Sequence, residues 1–374
     1  MDINKRVIEH RRWFHRHPEL GFEEYKTSEY IVKHLEKVRI PYKRVKTGVI
    51  ADIDVGVSET IAFRADIDAL PIQEIEGREY GSQTPGRMHA CGHDAHAAML
   101  LTAAEYMMEV KKPTRNVRFI FQPAEETVNG AREMIDSGAV YGVDMIFGIH
   151  VWIDEPSGVF AVSSGPVMAG SDEVSITIHG SGGHAASPQK TVNPIAIGAT
   201  LVNELYKIRV LNIDPLQSAV INITSFNSGN NFNVVPETAR ILGTIRTFSK
   251  DVRDDIVDRI ERLKGIASSP GATMEIDIKD TTYPVINSES AVDYAKDAIE
   301  SAKLKIVKAK PTMGAEDFAL YLERVPGAFL FLGIRSEEKG IVHPHHSPQF
   351  DVDESVLNLG VKFFLACAGV RNIP

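Results

Sequence analysis

The strongest constraint on the fold is an alternation of helical and strand patterns across the first 165 residues. The segments VRFIFQP (117–123) and MIFGIHVW (145–152) are apolar at successive positions, which is typical of strands buried on both faces. The segment HDAHAAMLLTAAEYMMEV (93–110) is rich in Ala, Leu and Met and predicts a buried helix. Strands and helices in this order predict an α/β domain, in which helices cover both faces of a mixed, largely parallel sheet.

The pattern changes near Gly170 and changes back near residue 282. Between these points, apolar alternation and helical periodicity predict the order βαββαβ, which is the ferredoxin-like arrangement. Helix–strand alternation then resumes, as in AFLFLGI (328–334). We therefore predict a discontinuous outer domain over residues 1–169 and 282–374. A ferredoxin-like α+β domain, residues 170–281, is inserted into it.

Charge and cysteine content exclude several classes of partner. The formal net charge of −9 argues against nucleic acid, because phosphate binding needs a basic surface. No segment approaches the roughly 20 apolar residues that span a bilayer, and the polar N-terminus does not resemble a signal peptide. The two cysteines, Cys91 and Cys367, do not form a disulfide framework. These features predict a cytoplasmic protein with no membrane or nucleic-acid partner.

Four segments place metal-binding groups in a loop or at the end of a predicted strand. They are MHACGHDAH (88–96), QPAEE (122–126), GIH (148–150) and HPHHSP (343–348). Glycine between Cys91 and His93 permits a tight backbone path, so both side chains can reach one ion. The adjacent carboxylates of Glu125 and Glu126 point in different directions, so one can bind metal while the other takes a proton. Each segment alone has a structural explanation, but their combination at sheet termini favours a metal site.

The motifs resemble those of a known enzyme family. The segments HRHPELGFEE, FRADIDALP, MHACGHDAHAA, FQPAEE, GSGGHAASP, NVVPE, MGAEDFA and HHSPQF follow the order found in the M20 metallopeptidases. Nearly the whole chain is similar to the amidohydrolase branch of that family, which includes aminoacylase-like, hippurate-hydrolase-like and indoleacetyl-amino-acid-hydrolase-like enzymes. The resemblance implies a catalytic α/β domain that carries an inserted ferredoxin-like dimerisation domain, and therefore a homodimer.

The resemblance also implies a set of metal ligands and a base. It implies two divalent ions per subunit (manganese, zinc, cobalt or nickel), held by Cys91, His93, Glu126, His150 and His346. Glu125 matches the general base that takes a proton from a metal-activated water. His345 stands where the family usually has an apolar residue, and His346 is chosen because it directly precedes Ser347 and Pro348. Asp66 and Asp68 are expected to support the site.

Substrate contacts are implied at four further positions. His184 matches an oxyanion donor that the family supplies from the partner subunit, and Arg246 matches a residue that clamps a substrate carboxylate. Asn233 and Gly314 match residues of the substrate cleft. A structural role for Arg246 and Asn233 on their sheet is an equally good interpretation.

The leading hypothesis is a metal-dependent amidohydrolase that cleaves the amide bond of N-acyl amino acids, such as acetyl or benzoyl derivatives. A dipeptidase or carboxypeptidase, or a deacetylase of the N-acetyl-diaminopimelate type, would use the same residues. A metal-stabilised binding protein without catalysis should lack the base or a ligand. Because Glu125 and all five ligand types are present, the sequence argues against that class.

Overall fold

The computed structural model describes residues 1–127, 130–268, 270–371 and 373. The helices of these residues are α1 Ile3–Arg16, α2 Tyr25–Lys37, α3 His93–Glu109, α4 Gly130–Asp136, α5 Pro194–Leu211, α6 Lys250–Arg262, α7 Gly265–Ser268, α8 Glu289–Ser301, α9 Ala319–Leu322 and α10 Leu357–Cys367. The strands are β1 Tyr42–Val45, β2 Gly48–Ile53, β3 Thr60–Asp66, β4 Asn116–Gln122, β5 Met145–Pro156, β6 Val159–Val162, β7 Gly165–Met168, β8 Gly170–His179, β9 Gly183–His184, β10 Ala219–Asn227, β11 Val234–Val235, β12 Thr238–Thr247, β13 Thr273–Thr282, β14 Val285–Asn287, β15 Lys305–Lys308 and β16 Gly327–Arg335.

In the described part of the chain, eight strands form a mixed sheet in the order β1-β2-β4-β3-β5-β16-β6-β15. Its central strands β4, β3, β5 and β16 run parallel to one another. The pairs β1–β2, β2–β4 and β6–β16 are antiparallel. This architecture confirms the predicted mixed, largely parallel sheet.

Alternating side chains of β3 show how both faces of the sheet are covered. Phe63 is fully buried and its ring lies 4.9 Å from that of Phe364 on α10. The next residue, Arg64, points to the opposite face, because successive side chains of a strand alternate. Its guanidinium lies 5.9 Å from the ring of Phe318, immediately before α9. Helical segments therefore pack on both sides of this strand.

A second sheet is made of β8, β10, β12 and β13. Within the described residues its order is β10-β12-β8-β13, and all three pairings are antiparallel. Together with α5 and α6, these strands follow the chain order βαββαβ, which is the ferredoxin-like topology. Inward-facing Ile176, Leu201, Ile241 and Ile260 are fully buried in a core of their own.

The chain divides into two compact units, which we call the large unit and the inserted unit. The large unit comprises Met1–Val167, Ile286–Lys310 and Asp317–Pro374. The inserted unit comprises Met168–Val285 together with Pro311–Glu316. Segment 311–316, which the sequence assigned to the discontinuous outer domain, packs with the inserted unit.

Among the described helices, none combines the length and the apolar character that crossing a membrane requires.

Candidate metal centre

The large unit gathers its polar motifs at one edge of the parallel strands. β3 ends at Asp66 and β4 at Gln122, and these two residues are register partners. On the other side of β3, Arg64 pairs with Gly148, so His150 lies near the level of Asp66. Because carboxyl ends of parallel strands share an edge, residues 122–126 and His150 meet there.

Gly92 shapes the segment that carries Cys91 and His93. It has a φ of +97° and directly precedes α3, which begins at His93. A Cβ at this position would lie 2.3 Å from Cγ2 of Val151. Only glycine tolerates both the left-handed backbone and the close packing. The tight turn holds Cys91 and His93 beside Val151 in the middle of β5.

Two buried imidazoles are oriented by hydrogen bonds from one ring nitrogen. Nδ1–H of His93 donates to the backbone carbonyl of Asp68 at 3.0 Å, and Nδ1–H of His150 donates to the carbonyl of Val151 at 2.7 Å. Each ring therefore presents its Nε2 lone pair. Nε2 of His93 is buried without a hydrogen-bond partner in the described protein, and Nε2 of His150 lies 3.5 Å from Sγ of Cys91. Such oriented lone pairs are what a metal ion requires.

The five candidate ligands form two groups that share Cys91. In each group the ligand atoms lie within 4.8 Å of one another: Cys91, His93 and His150 in the first, and Cys91, Glu126 and His346 in the second. Among the described residues, Oε1 of Glu126 is buried without a hydrogen-bond partner, and it lies 3.5 Å from Nε2 of His346. Thiolate, imidazole and carboxylate donors fit divalent transition metals, so the residues are suited to a pair of ions.

Glu125, the candidate base, joins a third group of the same kind. Its atoms lie within 4.8 Å of ligand atoms of His93 and Glu126. Oε2 of Glu125 is 3.9 Å from Nε2 of His93, and 9% of the residue is exposed. The carboxylate is therefore next to the candidate ligands, on a side chain that is almost fully buried.

The two histidines of the C-terminal segment differ in environment. Nε2 of His345 accepts the backbone N–H of Ile153 at 3.3 Å, and its ring packs 5.0 Å from that of Trp152. Burial lowers the pKa of His345 to about 3. His346 has a φ of +63°, and its backbone N–H donates to the carbonyl of Ala90 at 2.8 Å. This geometry favours His346 as the ligand.

His96 lies in a group with Asp66 and His93 but has both ring nitrogens in use. Nδ1–H donates to Asp66 at 2.6 Å, and Nε2 accepts the backbone N–H of Val151 at 2.9 Å. No lone pair remains for a metal ion. Asp68 instead supports both sides of the site, because it contacts His93 and its Oδ2 accepts the N–H of Glu126 at 3.0 Å.

The electrostatics of the candidate centre also suit cations. Burial and the nearby charge of Asp68 raise the pKa of Glu126 to about 7, although His93 opposes the shift. Burial and the charge of Glu126 raise the pKa of the Cys91 thiol well above its usual value. A divalent cation stabilises both ionised groups, because metal binding favours the deprotonated form of a ligand.

All four remaining predicted residues, which are His184, Asn233, Arg246 and Gly314, lie in the inserted unit. His184 is on β9, and Ala185 N–H next to it donates to the carbonyl of Asn233 at 3.0 Å. Nδ1 of His184 accepts the N–H of Ala186 at 3.0 Å, so the neutral ring carries its proton on Nε2. Arg246 on β12 is half-buried, and its Nε donates to Oγ1 of Thr244 at 3.2 Å.

Gly314 also belongs to the inserted unit. Its carbonyl accepts the N–H of Ala169 at 2.9 Å. A Cβ at this position would lie 3.2 Å from Cε of Met168. The glycine therefore leaves room for the methyl end of the Met168 side chain.

Arg11 is a supporting residue that the sequence did not indicate. This buried guanidinium donates to Asp94 at 2.9 Å, to Asp351 at 2.8 Å and to Glu354 at 3.1 Å. It connects α1 to the residue after His93 and to the segment that follows His346. Since its partners are 83 to 343 positions away, no spacing in the sequence could identify them.

Comparison with known proteins identifies the family to which the chain belongs. The model of peptidase family M20/M25/M40 matches residues 62–369. Thermostable carboxypeptidase 2 of Saccharolobus solfataricus is 40% identical over 368 residues, which cover 96% of this chain and 93% of that protein. N-acetylcysteine deacetylase of Bacillus subtilis is 39% identical over 373 residues, covering 98% and 97%.

A solved structure agrees with these relatives. The crystal structure of a dinuclear metal binding peptidase of the M20 family from Bacillus subtilis is 36% identical in sequence. It superposes with a TM-score of 0.86, covering 98% of this chain and 97% of that one. The protein therefore belongs to peptidase family M20/M25/M40 and is an amide-bond hydrolase, which confirms the resemblance seen in the sequence.

Proposed function

We propose that this protein is a metal-dependent amidohydrolase that cleaves the amide bond of N-acyl amino acids. One observation carries the proposal. Cys91 belongs to two groups of converging ligand atoms, and the carboxylate of Glu125 lies beside them. A purely structural site is usually a closed, tetrahedral set of four ligands, which two ligand groups that share one thiolate do not match.

The proposed ligands of two divalent ions are Cys91, His93, Glu126, His150 and His346. When bound, such ions lower the pKa of a water and polarise a carbonyl oxygen. The donor set suits manganese, zinc, cobalt or nickel. The name of the Bacillus subtilis structure, a dinuclear metal binding peptidase, supports a pair of ions rather than one.

Glu125 is the proposed general base. It would take the proton of the attacking water and deliver it to the leaving amine. Asp68 supports this step indirectly, because it holds the backbone N–H of Glu126 at 3.0 Å and contacts Nδ1 of His93. The base and the ligands beside it are thereby kept in separate orientations.

Residues of the inserted unit are proposed to bind the substrate. Nε2–H of His184 can donate to a developing oxyanion, because Nδ1 is held by the N–H of Ala186. The guanidinium of Arg246 can clamp the α-carboxylate of the substrate. Asn233 and Gly314 are proposed to line the same cleft. The carbonyl of Asn233 accepts the N–H of Ala185, which directly follows His184.

A homodimer is also part of the proposal. On α5, Tyr206, Val210 and Leu211 are exposed, and Phe226 is exposed on the edge strand β10. An unpaired strand edge beside apolar residues is suited to a second copy of the same surface. Sedimentation equilibrium should give twice the mass of the chain, whereas a monomer at micromolar concentration would contradict this part of the proposal.

We further propose that the protein works in a reducing, cytoplasmic setting. Cys91 and Cys367 are both free thiols. Oxidation of Cys91 would convert a good metal ligand into a poor one. Fractionation of cells tests the compartment, and recovery of the protein outside the cytoplasm would contradict the assignment.

A carboxypeptidase is the second candidate function, because the relative from Saccharolobus solfataricus carries that name. Carboxypeptidase substrates also end in an α-carboxylate next to the scissile amide, so the same clamp would serve both. A deacetylase acting on an acetylated diamino acid is a narrower form of the first proposal, supported by the deacetylase from Bacillus subtilis.

A substrate panel separates these functions. The metal-free protein and protein loaded with manganese, zinc, cobalt or nickel are assayed with acetyl-, benzoyl- and indoleacetyl-amino acids and with dipeptides. We expect metal-dependent release of free amino acid from the acylated substrates. Activity on peptides alone would favour the carboxypeptidase, and inactivity of verified metal-loaded protein on the whole panel would overturn both.

A further inference from the structure

The backbone turn before the two catalytic-site carboxylates has an uncommon conformation. Ala124, which directly precedes Glu125, is fully buried and has a φ of +54°. A residue with a Cβ disfavours this left-handed region, and alanine is not among the residues enriched there. Surrounding structure must therefore stabilise the turn.

Glu24 supplies a contact of the required kind. Its side chain is fully buried, and Oε1 accepts the backbone N–H of Ala124 at 2.9 Å. Its other oxygen, Oε2, accepts the hydroxyl of Thr47 at 2.5 Å. A hydrogen bond to the N–H of Ala124 depends on the direction of that peptide group, which the left-handed conformation determines.

Two further contacts confine the same turn. A Cβ on Gly21 would lie 3.1 Å from both Cα and Cβ of Ala124, so the segment before α2 packs directly on this backbone. In the peptide group that follows, the carbonyl of Ala124 accepts Oγ1–H of Thr127 and the N–H of Gly130, each at 3.2 Å. The N–H and the carbonyl of Ala124 are thus both bound.

Keeping a carboxyl group in this position has an energetic cost. Burial raises the pKa of Glu24 to about 7, although the hydrogen bond from Thr47 opposes the shift. A glutamate that only capped α2 would not need to be buried, and the carboxylate of Glu24 makes no hydrogen bond to the N-terminal amides of that helix. The side chain is directed at the turn instead.

We propose that Glu24 is a positioning residue for catalysis, which holds Ala124 in the left-handed conformation and so directs Glu125 and Glu126 to their separate targets. This inference rests on the proposed function, in which Glu125 is the base and Glu126 a ligand. It assigns a catalytic consequence to the segment HRHPELGFEE, 100 positions before the residue it contacts.

Three variants test the role of the contact. Glu24→Ala removes the bond to Ala124, and we expect kcat to fall by about 10- to 100-fold at saturating metal with little change in KM, because small misplacement of a catalytic group carries such a cost. Glu24→Gln can still accept the N–H of Ala124 and should retain most of kcat. In Glu24→Ala/Ala124→Gly, glycine adopts the left-handed conformation without the Cβ penalty, so kcat should recover by about 10-fold relative to Glu24→Ala.

A merely structural role for Glu24 predicts a different pattern. Loss of stability alone would lower the fraction of folded protein and would leave kcat, counted per folded and metal-loaded molecule, at the wild-type value. Wild-type kcat in Glu24→Ala, or failure of both the Gln variant and the double variant to exceed Glu24→Ala, would overturn the proposal. If Glu24→Ala does not fold, Glu24→Asp, whose carboxylate is one methylene shorter, replaces it with the same expected loss.

A crystal structure of Glu24→Ala separates this inference from the proposed function. We expect the φ of Ala124 to leave the left-handed region and the carboxylate of Glu125 to shift. An unchanged turn would overturn the positioning role even if the enzyme is active. Conversely, inactivity of the metal-loaded wild-type protein on every acylated substrate would overturn the proposed function, while the measured turn still tests the contact.

Discussion

Two clusters of histidine and carboxylate side chains lie in the large unit, and they use these residue types in opposite ways. One is the candidate metal centre around Cys91 and His93. The other, which we call the helix cluster, consists of His10 on α1, His34 on α2 and Glu105 on α3. The possible ligand atoms of the helix cluster lie within 4.8 Å of one another, as do those of each three-residue group of the metal centre, so proximity does not distinguish the clusters.

Hydrogen bonding does distinguish the clusters. Tyr30 donates its hydroxyl proton to Nδ1 of His10 at 2.9 Å, so Nε2–H of His10 donates to Glu105 at 3.2 Å. His34 donates Nδ1–H to the other oxygen of Glu105 at 2.7 Å, and the guanidinium of Arg6 lies 3.4 Å from the carboxylate. The helix cluster is a closed network beside a fixed cation, whereas among the described residues Nε2 of His93 and Oε1 of Glu126 in the metal centre are buried without a hydrogen-bond partner. Lone pairs left open within a group of converging ligand atoms fit metal ligands, whereas the hydrogen-bonded side chains of the helix cluster fit a structural link between helices.

The largest expected effect concerns the base of the metal centre. Glu125→Gln should lower kcat by about 10²- to 10⁴-fold, because the amide cannot take the proton of the attacking water. Metal content, measured by elemental analysis, should be unchanged. Glu105→Gln is the matched control from the helix cluster and should keep kcat. Substantial turnover by Glu125→Gln would assign the base to another residue.

The next largest effect concerns metal affinity, which should depend on the metal centre and not on the helix cluster. Cys91→Ala should weaken binding of manganese or zinc by more than about 100-fold, since loss of even a supporting residue costs 10- to 100-fold. His34→Ala, in the helix cluster, should bind metal as the wild type does. Titration with a metal indicator measures both variants. Equal affinity in Cys91→Ala and wild type would refute the ligand assignment.

The free energy of unfolding should depend on the helix cluster, in contrast to activity and metal binding. Hydrogen bonds from His10 and His34 lower the pKa of Glu105 to about 2, against the opposing effect of burial. A shift from 4.5 to about 2 corresponds to roughly 3 kcal/mol. Glu105→Gln should therefore lower the free energy of unfolding by about this amount at pH 7, measured by urea denaturation of the metal-free protein. A loss below about 0.5 kcal/mol would show that the network contributes little.

The smallest effect is the pH dependence of that contribution. Because the pKa of Glu105 is lower in the folded than in the unfolded chain, its stabilisation is present above pH 4.5 and is lost as the pH falls towards 2. The difference in unfolding free energy between wild type and Glu105→Gln should shrink on acidification. A constant difference from pH 7 to pH 3 would contradict the assignment.

Local sequence patterns predicted much of the candidate site. Cys91, Gly92 and His93 are neighbours, and the conformation of Gly92 alone brings the thiol and the imidazole together. Glu125 and Glu126 are adjacent at the end of β4, and His150 follows the apolar residues of β5. The resemblance to the family then ordered these segments, because their motifs stand in a recognisable sequence along the chain. The assignment of individual ligands stays a prediction.

Local sequence patterns could not predict contacts between residues far apart in the chain. The sequence did not indicate that Glu24 would contact Ala124 or that Arg11 would bind Asp94, Asp351 and Glu354. It did not choose between His345 and His346 on chemical grounds either. These cases depend on which surfaces the packed elements bring together, and side-chain type does not encode that.

The sequence by itself predicted the main helices and strands, the mixed sheet, the ferredoxin-like topology and the family, because periodicity and motifs can be recognised in short segments of the chain. Tertiary structure alone decided which histidines have free lone pairs. His93 and His96 are one turn apart on α3 and are both buried, yet Nε2 of His96 accepts the N–H of Val151, while Nε2 of His93 has no partner in the described protein. The physical reason is that a ring nitrogen is available to a metal only when no neighbouring donor occupies it, and those neighbours come from distant strands.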